Sequence, residues 1–159
     1  MRVRVIGLGQ AAAGDDGVGL AVLEQLRKHG LPDGVELAEA CEDTALISLL
    51  QVPGLVVLID AVLGTPPGEV VELTPEQLVG RTRRSVSTHG IGVCQAIELA
   101  RVAWPAGRCD SVRIVAVTIS RPERREQRLS PEVAAAVPLA TAHVLAVVSG
   151  ALHGCVRES

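Results

Sequence analysis

Three ionisable side chains stand where an α/β fold would put them to chemical use. Asp16 is the second of two adjacent aspartates after the first predicted strand, Asp60 lies near the end of the most apolar stretch, and His89 precedes a predicted helix. Two carboxylates and an imidazole together form a donor set that suits a borderline-hard divalent metal. We therefore expect these three side chains to converge on one metal.

Each of these positions also has a structural alternative. Asp15 or Asp16 can cap the helix that follows, and we assign the cap to Asp15, which leaves Asp16 facing the crevice of the fold. A histidine before a helix can be a cap or a hydrogen-bonded core residue. Asp60 is harder to explain structurally, because a carboxylate among Val, Leu and Ile is costly to bury unless it is paired or bound to a metal.

The periodicity predicts alternating strands and helices. Strands are expected over residues 2–8, 35–40, 55–62, 69–73 and 112–120, with helices over 17–29, 43–51 and 87–104, and further helices starting at 74 and 131. This alternation is typical of a three-layer α/β domain with a mostly parallel sheet and helices on both faces, here one domain over residues 1–159. In such sheets ligands bind at the carboxyl ends of the strands.

Local signals add detail to this scheme. The apolar strand 55–62 is expected at the centre of the sheet and the alternating strand 35–40 at an edge. Asp43 or Thr44 is expected to cap the second helix, and Pro138 to bend or restart the last one. Residues 81–84 form a basic loop, which either contacts an acidic partner surface or is a solvated charge cluster.

Composition excludes several functions. The chain has 159 residues, one Trp, no Phe or Tyr, and a net charge of −3. It therefore has no aromatic platform for single-stranded nucleic acid and no overall attraction to phosphate backbones or anionic membranes. The four cysteines form no CxxC pair, and no signal peptide is evident, so we expect free buried thiols and a cytoplasmic protein.

Residues 133–152 contain no formal charge. This length suffices to span a bilayer, but the segment is rich in Ala, contains Pro138 and lacks flanking aromatics. We expect a helix docked on the domain and no membrane anchor.

Dinucleotide binding is the main alternative function. The stretch from Gly7 to Ala12 fits G-x-G-x-x-A after a strand, with Glu36 or Glu39 on the next strand. Against it, Asp15 and Asp16 would face the anionic pyrophosphate, and the helix begins too late.

Four segments resemble the hydrogenase maturation endopeptidases. They are GLGQAAAGDDGVG near the N-terminus, the strand LVVLIDAV, STHGIGVCQAIELA, and the late segment LSPEVAAAVP. The resemblance runs in order over nearly the whole chain. It implies a twisted five-stranded sheet of the phosphorylase/hydrolase-like type and a monomeric endopeptidase.

The resemblance also implies a substrate and a role for the three candidate residues. The family removes a short C-terminal extension from the precursor of the large subunit of a nickel–iron hydrogenase, after nickel insertion. Nickel carried by the substrate is the recognition element, and no organic cofactor is involved. The metal-contacting positions fall on Asp16, Asp60 and His89, and we expect the two aspartates to take part in activating water. Two other functions stay open: a non-catalytic metal or assembly chaperone of the large subunit, and a zinc hydrolase of small peptides.

Overall fold

The computed structural model describes residues 2–10, 13–82, 88–105, 111–121 and 127–154. The strands are β1 (Val3–Leu8), β2 (Val35–Ala40), β3 (Leu55–Leu63), β4 (Val70–Leu73) and β5 (Ser111–Ile119). The helices are α1 (Val18–His29), α2 (Asp43–Leu49), α3 (Pro75–Thr82), α4 (Thr88–Ala103) and α5 (Pro131–Gly154). A 3-10 turn at Gly14–Gly17, called the acidic turn below, precedes α1.

The five strands form one sheet in the order β2-β1-β3-β5-β4. β1 pairs in parallel with β2 and β3, β3 pairs in parallel with β5, and β4 is antiparallel to β5. The predicted mostly parallel, five-stranded α/β sheet is therefore confirmed, with the apolar β3 at its centre and β2 at an edge. β3 is buried over eight of its nine residues, which explains its lack of polar alternation.

Two apolar cores sandwich the sheet. On one face α1 and α5 pack on alternate residues of the central strands, among them Val57, Ile59, Val115 and Val117. On the other face α2, α3 and α4 cover the intervening residues, among them Val56, Leu58, Ile114 and Ala116. Because side chains alternate along a strand, a residue's position in β3 decides which layer of helices it meets.

The helix termini confirm some local predictions and correct others. Thr74 and Gln77 form a reciprocal capping box at the start of α3, where the Thr74 hydroxyl accepts from the Gln77 N–H and the Gln77 side chain accepts from the Thr74 N–H. The expected cap by Asp43 or Thr44 is wrong, because both lie inside α2 and Glu42 is its N-cap.

Two further predicted boundaries also change. Arg81 belongs to the last turn of α3 and not to a loop, while residues 83–84 of the basic segment lie outside the described ranges. Pro138 does not restart the last helix, because α5 runs without interruption from Pro131 to Gly154.

α5 is docked on the sheet, as its sequence predicted. Its length and apolar composition would suffice to cross a membrane. Its inward-facing residues are nevertheless buried in the core that α5 forms with α1 and the sheet. They are Val133, Ala136, Ala140, Val144, Val147 and Val148.

Polar contacts on the same face also hold α5. Glu72 of β4 lies 2.8 Å from the imidazole of His143 on α5 and forms an ion pair with Arg113 of β5. Burial raises the pKa of Glu72, but the hydrogen bonds from His143 and Arg113 outweigh it, so the pKa lies below its usual value. The carboxylate therefore links two strands to the middle of α5 in its charged form.

The start of α1 packs against the backbone of two strands. A Cβ built on Gly19 would lie 2.4 Å from the carbonyl oxygen of Leu8 and 2.6 Å from that of Ile59. Only a residue without a side chain lets the helix approach β1 and β3 this closely.

We therefore expect Gly19→Ala to destabilise the fold by about 1–3 kcal/mol, the usual cost of overpacking, measured by urea unfolding. Gly150→Ala is the matched control, because no atom lies within 4 Å of a Cβ at this helical position. The control should stabilise the protein by about 0.5–1 kcal/mol through helix propensity alone. Equal free energies of unfolding for the two variants would contradict the packing of α1 on β1 and β3.

Candidate functional site

The candidate site lies where the chain reverses its direction across the sheet. From β1 the chain moves outward to β2 through α1, and from β2 it crosses back to β3 through α2, on the opposite face. From the carboxyl end of β3 the chain goes on to β4 at the other edge of the sheet, so the connections that leave β1 and β3 diverge and leave a crevice between them. Such switch points are where open α/β sheets bind their ligands.

The acidic turn holds Asp16 over the end of β1. Gly9, the residue after β1, has a φ of +122°, and a Cβ built on it would lie 2.2 Å from the carbonyl oxygen of Asp16. On the other side of the turn, a Cβ on Gly17 would lie 3.1 Å from the carbonyl oxygen of Gln10. The loop therefore folds back on itself, and it places the partly buried Asp16 beside the crevice.

Asp60 lies at the other side of the same crevice. The pairing of β1 with β3 ends at Gly7 and Ile59, so Asp60 is the first residue of β3 beyond it. Its side chain is 3% exposed, and its Oδ1 accepts a hydrogen bond of 2.8 Å from the N–H of Ala61. A carboxylate buried this deeply at the end of a central strand requires partners or a bound cation, so Asp60 is a candidate functional residue.

His89 lies on the helix layer that faces Asp60. By alternation along β3, Asp60 shares a face with Leu58 and Val62, the face that α4 covers. His89 is the second residue of α4, as expected for the entry to a helix, and its side chain lies outside the described part of the structure. The fold thus brings the backbone of His89 to the layer over Asp60, while the convergence of the three side chains stays a prediction.

Within the described ranges, no group of three or more His, Cys, Asp or Glu side chains is placed to hold a metal ion. That absence does not extend to the predicted set of Asp16, Asp60 and His89, because only the backbone of His89 is described and its side chain is not. Carboxylate and imidazole donors suit nickel among other divalent metals.

The expected role of Asp15 as the cap of α1 is wrong. Gly17 is the N-cap of α1, and neither it nor the N-cap of the acidic turn makes a side-chain capping hydrogen bond. Asp15 instead accepts a 2.6 Å hydrogen bond from the backbone N–H of Ser130. The two residues are 115 positions apart, so no local pattern in the sequence could have revealed this contact.

Cys94 is not an activated nucleophile. Burial raises the pKa of the Cys94 thiol, and the carboxylates of Glu76 and Glu98 raise it further, so this sulfur is protonated at neutral pH. Cys41, which follows β2, is a free thiol but is exposed, which corrects the expectation that the thiols are buried. Cys109 and Cys155 lie outside the described ranges.

Comparison with known proteins identifies the family. The family model described as hydrogenase maturation protease matches residues 20–147, most of the chain. The chain belongs to the hydrogenase maturation protease family. It is therefore a peptidase, an endopeptidase that processes the large subunit of a hydrogenase. The matched segment includes Asp60 and His89, and Asp16 lies just before it.

Individual proteins are similar to this chain over most of its length. Protein FrxA of Pyrococcus furiosus is 30% identical over 139 residues, covering 85% of this chain and 96% of that protein. The hydrogenase 2 maturation peptidase from a Thaumarchaeota archaeon is 27% identical, with a TM-score of 0.64 and coverage of 93% of this chain and 98% of that one. The endopeptidase HybD of E. coli shares the fold, with a TM-score of 0.77 at 24% identity, covering 94% and 93% of the two chains.

The glycine-rich start of this maturation protease is not a pyrophosphate cradle. In a dinucleotide fold the helix begins within the glycine motif and its N-terminus faces the phosphates. Here the acidic turn comes first and its Asp16 carbonyl covers Gly9, so protein backbone occupies that position.

We expect Gly9→Ala to displace the acidic turn and to slow the processing of a hydrogenase precursor by about a hundredfold, a typical cost of misplacing a group by 1 Å. Gly30→Ala is the matched control, because it introduces a Cβ at another positive φ, +76°, with no atom within 4 Å. It should cost about 1–3 kcal/mol of backbone strain and leave the rate of cleavage unchanged. Cleavage followed by mass spectrometry and unfolding followed by circular dichroism give both quantities. Equal rates for both variants would contradict the packing of Asp16 on Gly9.

Proposed function

We propose that this protease removes the C-terminal extension of a nickel–iron hydrogenase large-subunit precursor after nickel has been inserted. In this proposal Asp16, Asp60 and His89 contact the nickel, which belongs to the substrate and is held by its thiolates. The protease itself carries no organic cofactor.

The observation that supports this most strongly is the position of the two carboxylates. Asp16 and Asp60 flank the crevice at the carboxyl ends of β1 and β3, although they are 44 positions apart in the sequence. Asp60 is buried there, and it faces the layer that contains α4, on which His89 is the second residue. An acidic crevice that contributes only some ligands leaves coordination positions for those of the substrate.

The chemistry that follows is hydrolysis by water. Contact with nickel would dock the precursor so that its extension lies across the crevice, which supplies orientation at the scissile peptide. A carboxylate of Asp16 or Asp60 would then take up a proton from the attacking water, or the substrate's metal centre would activate that water as a Lewis acid, and the leaving amine would gain the proton as the peptide bond breaks. The raised pKa of Cys94 disfavours a thiolate nucleophile from this residue.

Substitution of the three residues tests the proposal with purified precursor, loaded with nickel or free of it. The wild-type protease should shorten the nickel-loaded precursor and leave the nickel-free one intact. Asp16→Asn, Asp60→Asn and His89→Ala should each slow cleavage by about a hundredfold or more, because each removes a contact to the recognition element.

Two variants serve as controls of matched type. Asp33→Asn changes an exposed carboxylate in the turn before β2, and His153→Ala changes an exposed imidazole in the last turn of α5. Both should cleave at the wild-type rate. Wild-type rates for Asp16→Asn or His89→Ala would disprove the residue assignment, and equal cleavage of nickel-free precursor would disprove recognition through nickel.

The same assay separates the alternative functions. Stable binding of the precursor without loss of mass would favour a chaperone, and zinc-dependent cleavage of unrelated peptides would favour a general hydrolase. We also propose that the enzyme is a cytoplasmic monomer. Size-exclusion chromatography with light scattering would test the oligomeric state, and cell fractionation would test the location.

A further inference from the structure

A long-range hydrogen bond joins the acidic turn to the start of α5. The Oδ1 atom of Asp15 accepts from the backbone N–H of Ser130 at 2.6 Å, and the contact is partly buried. Ser130 directly precedes α5, and its carbonyl oxygen accepts the helical hydrogen bond from the N–H of Ala134. A carboxylate at the N-terminus of a helix is also favoured by the helix dipole.

The side chain of Ser130 does not perform the capping role. Its hydroxyl oxygen is buried and has no hydrogen-bond partner within the described part of the chain. A serine before a helix usually accepts from an N–H of the first turn. At this helix start Asp15, from a distant segment, therefore supplies a carboxylate acceptor.

Close packing against the loop after β3 holds the start of α5 in place. Gly68, in the loop after β3, is packed so closely that a Cβ on it would lie 2.6 Å from the carbonyl oxygen of Glu132. The same loop is fixed to β5, because the Thr118 hydroxyl donates to the carbonyl of Pro66 and accepts from the N–H of Glu69, both at 2.8 Å. Thr118 thereby connects this loop, and the start of α5 that packs on it, to β5, the strand that pairs with β3 at Asp60.

The acidic turn needs a fixed partner of this kind. On the side of β1 it rests on Gly9 through the carbonyl of Asp16, and on the side of α1 the N–H of Val18 bonds to the carbonyl of Asp15. The turn has no side-chain cap of its own. Asp15, the neighbour of Asp16, thus fixes the acidic turn to the start of α5.

We infer that Asp15 is a positioning residue, which orients Asp16 at the crevice by bonding the acidic turn to the backbone of Ser130. The inference rests on the proposed role of Asp16. Asp15 itself does not touch the nickel or the scissile peptide.

The test compares Asp15→Ala with Asp15→Asn on the nickel-loaded precursor. Alanine removes the acceptor and should lower kcat/KM about tenfold, the factor that corresponds to 1.4 kcal/mol. Asparagine keeps an acceptor oxygen in the same place and should restore most of the activity. Hydrogen exchange of the Ser130 amide, read in the same proteins, should quicken about tenfold in Asp15→Ala and stay slow in Asp15→Asn.

Thr141→Val is the matched control for a merely structural role. The buried Thr141 hydroxyl donates to the carbonyl oxygen of Val137 in its own helix at 2.8 Å and lies 3.4 Å from the side-chain oxygen of Gln25 on α1. Valine has nearly the same shape as threonine. This variant removes another polar link of α5 without touching the acidic turn, so its kcat/KM should equal that of the wild type.

The outcomes separate this inference from the proposed function. Wild-type activity of Asp15→Ala beside an inactive Asp16→Asn would overturn the positioning role alone. Wild-type activity of Asp16→Asn would overturn the proposed function and this inference with it. Equal losses in Asp15→Ala and Thr141→Val would show that Asp15 only stabilises the fold. No rescue by asparagine would show that Asp15 acts through its charge and not through the bond to Ser130, which would also overturn the inference.

Discussion

The close approach of α1 and the acidic turn to the ends of β1 and β3 is the constraint on which the rest of the site depends. Gly9 and Gly19 leave room for backbone where any side chain would collide with the carbonyl oxygens of Asp16, Leu8 and Ile59. Because of this contact, the turn bearing Asp16 lies directly beside the strand that carries Asp60. Without it, Asp16 would not lie beside the strand end that carries Asp60.

Burial of Asp60 sets the second requirement. The fold places this carboxylate at the end of its most apolar strand, where desolvation opposes charge. Polar contacts hold the surrounding elements in place. Thr118 joins the loop after β3 to β5, and the contact between Glu72 and His143 joins β4 to α5. Rigid elements that hold charged groups in a sheltered crevice are what hydrolysis at a fixed peptide bond requires, because orientation and not flexibility lowers the barrier.

Sequence reasoning predicted those features whose causes are local. The unbroken apolar run of β3 indicated a central strand, and the aspartate within it was costly enough to point to function. The apolar spacing of α1 and the helix start predicted at residue 74 likewise indicated their helices. Membership of the hydrogenase maturation proteases, first indicated by four short segments, is confirmed by the family comparison.

What the sequence could not predict depends on contacts between distant segments. The partner of Asp15 was misassigned because a helix followed it directly, whereas tertiary structure brings Ser130 within 2.6 Å of its carboxylate. The cap of α2 was misplaced because helix ends depend on backbone geometry more than on residue type. The role of His143 as a partner of Glu72 was equally hidden, since it requires α5 to lie on the sheet.

X-ray absorption at the nickel edge tests most directly whether this protease recognises the metal of its substrate. The spectrum of nickel-loaded precursor would be recorded alone and in complex with the protease, before cleavage proceeds. We expect additional oxygen and nitrogen neighbours of nickel in the complex, which disappear when Asp16, Asp60 and His89 are substituted. An identical nickel environment in the free and the bound precursor would contradict it.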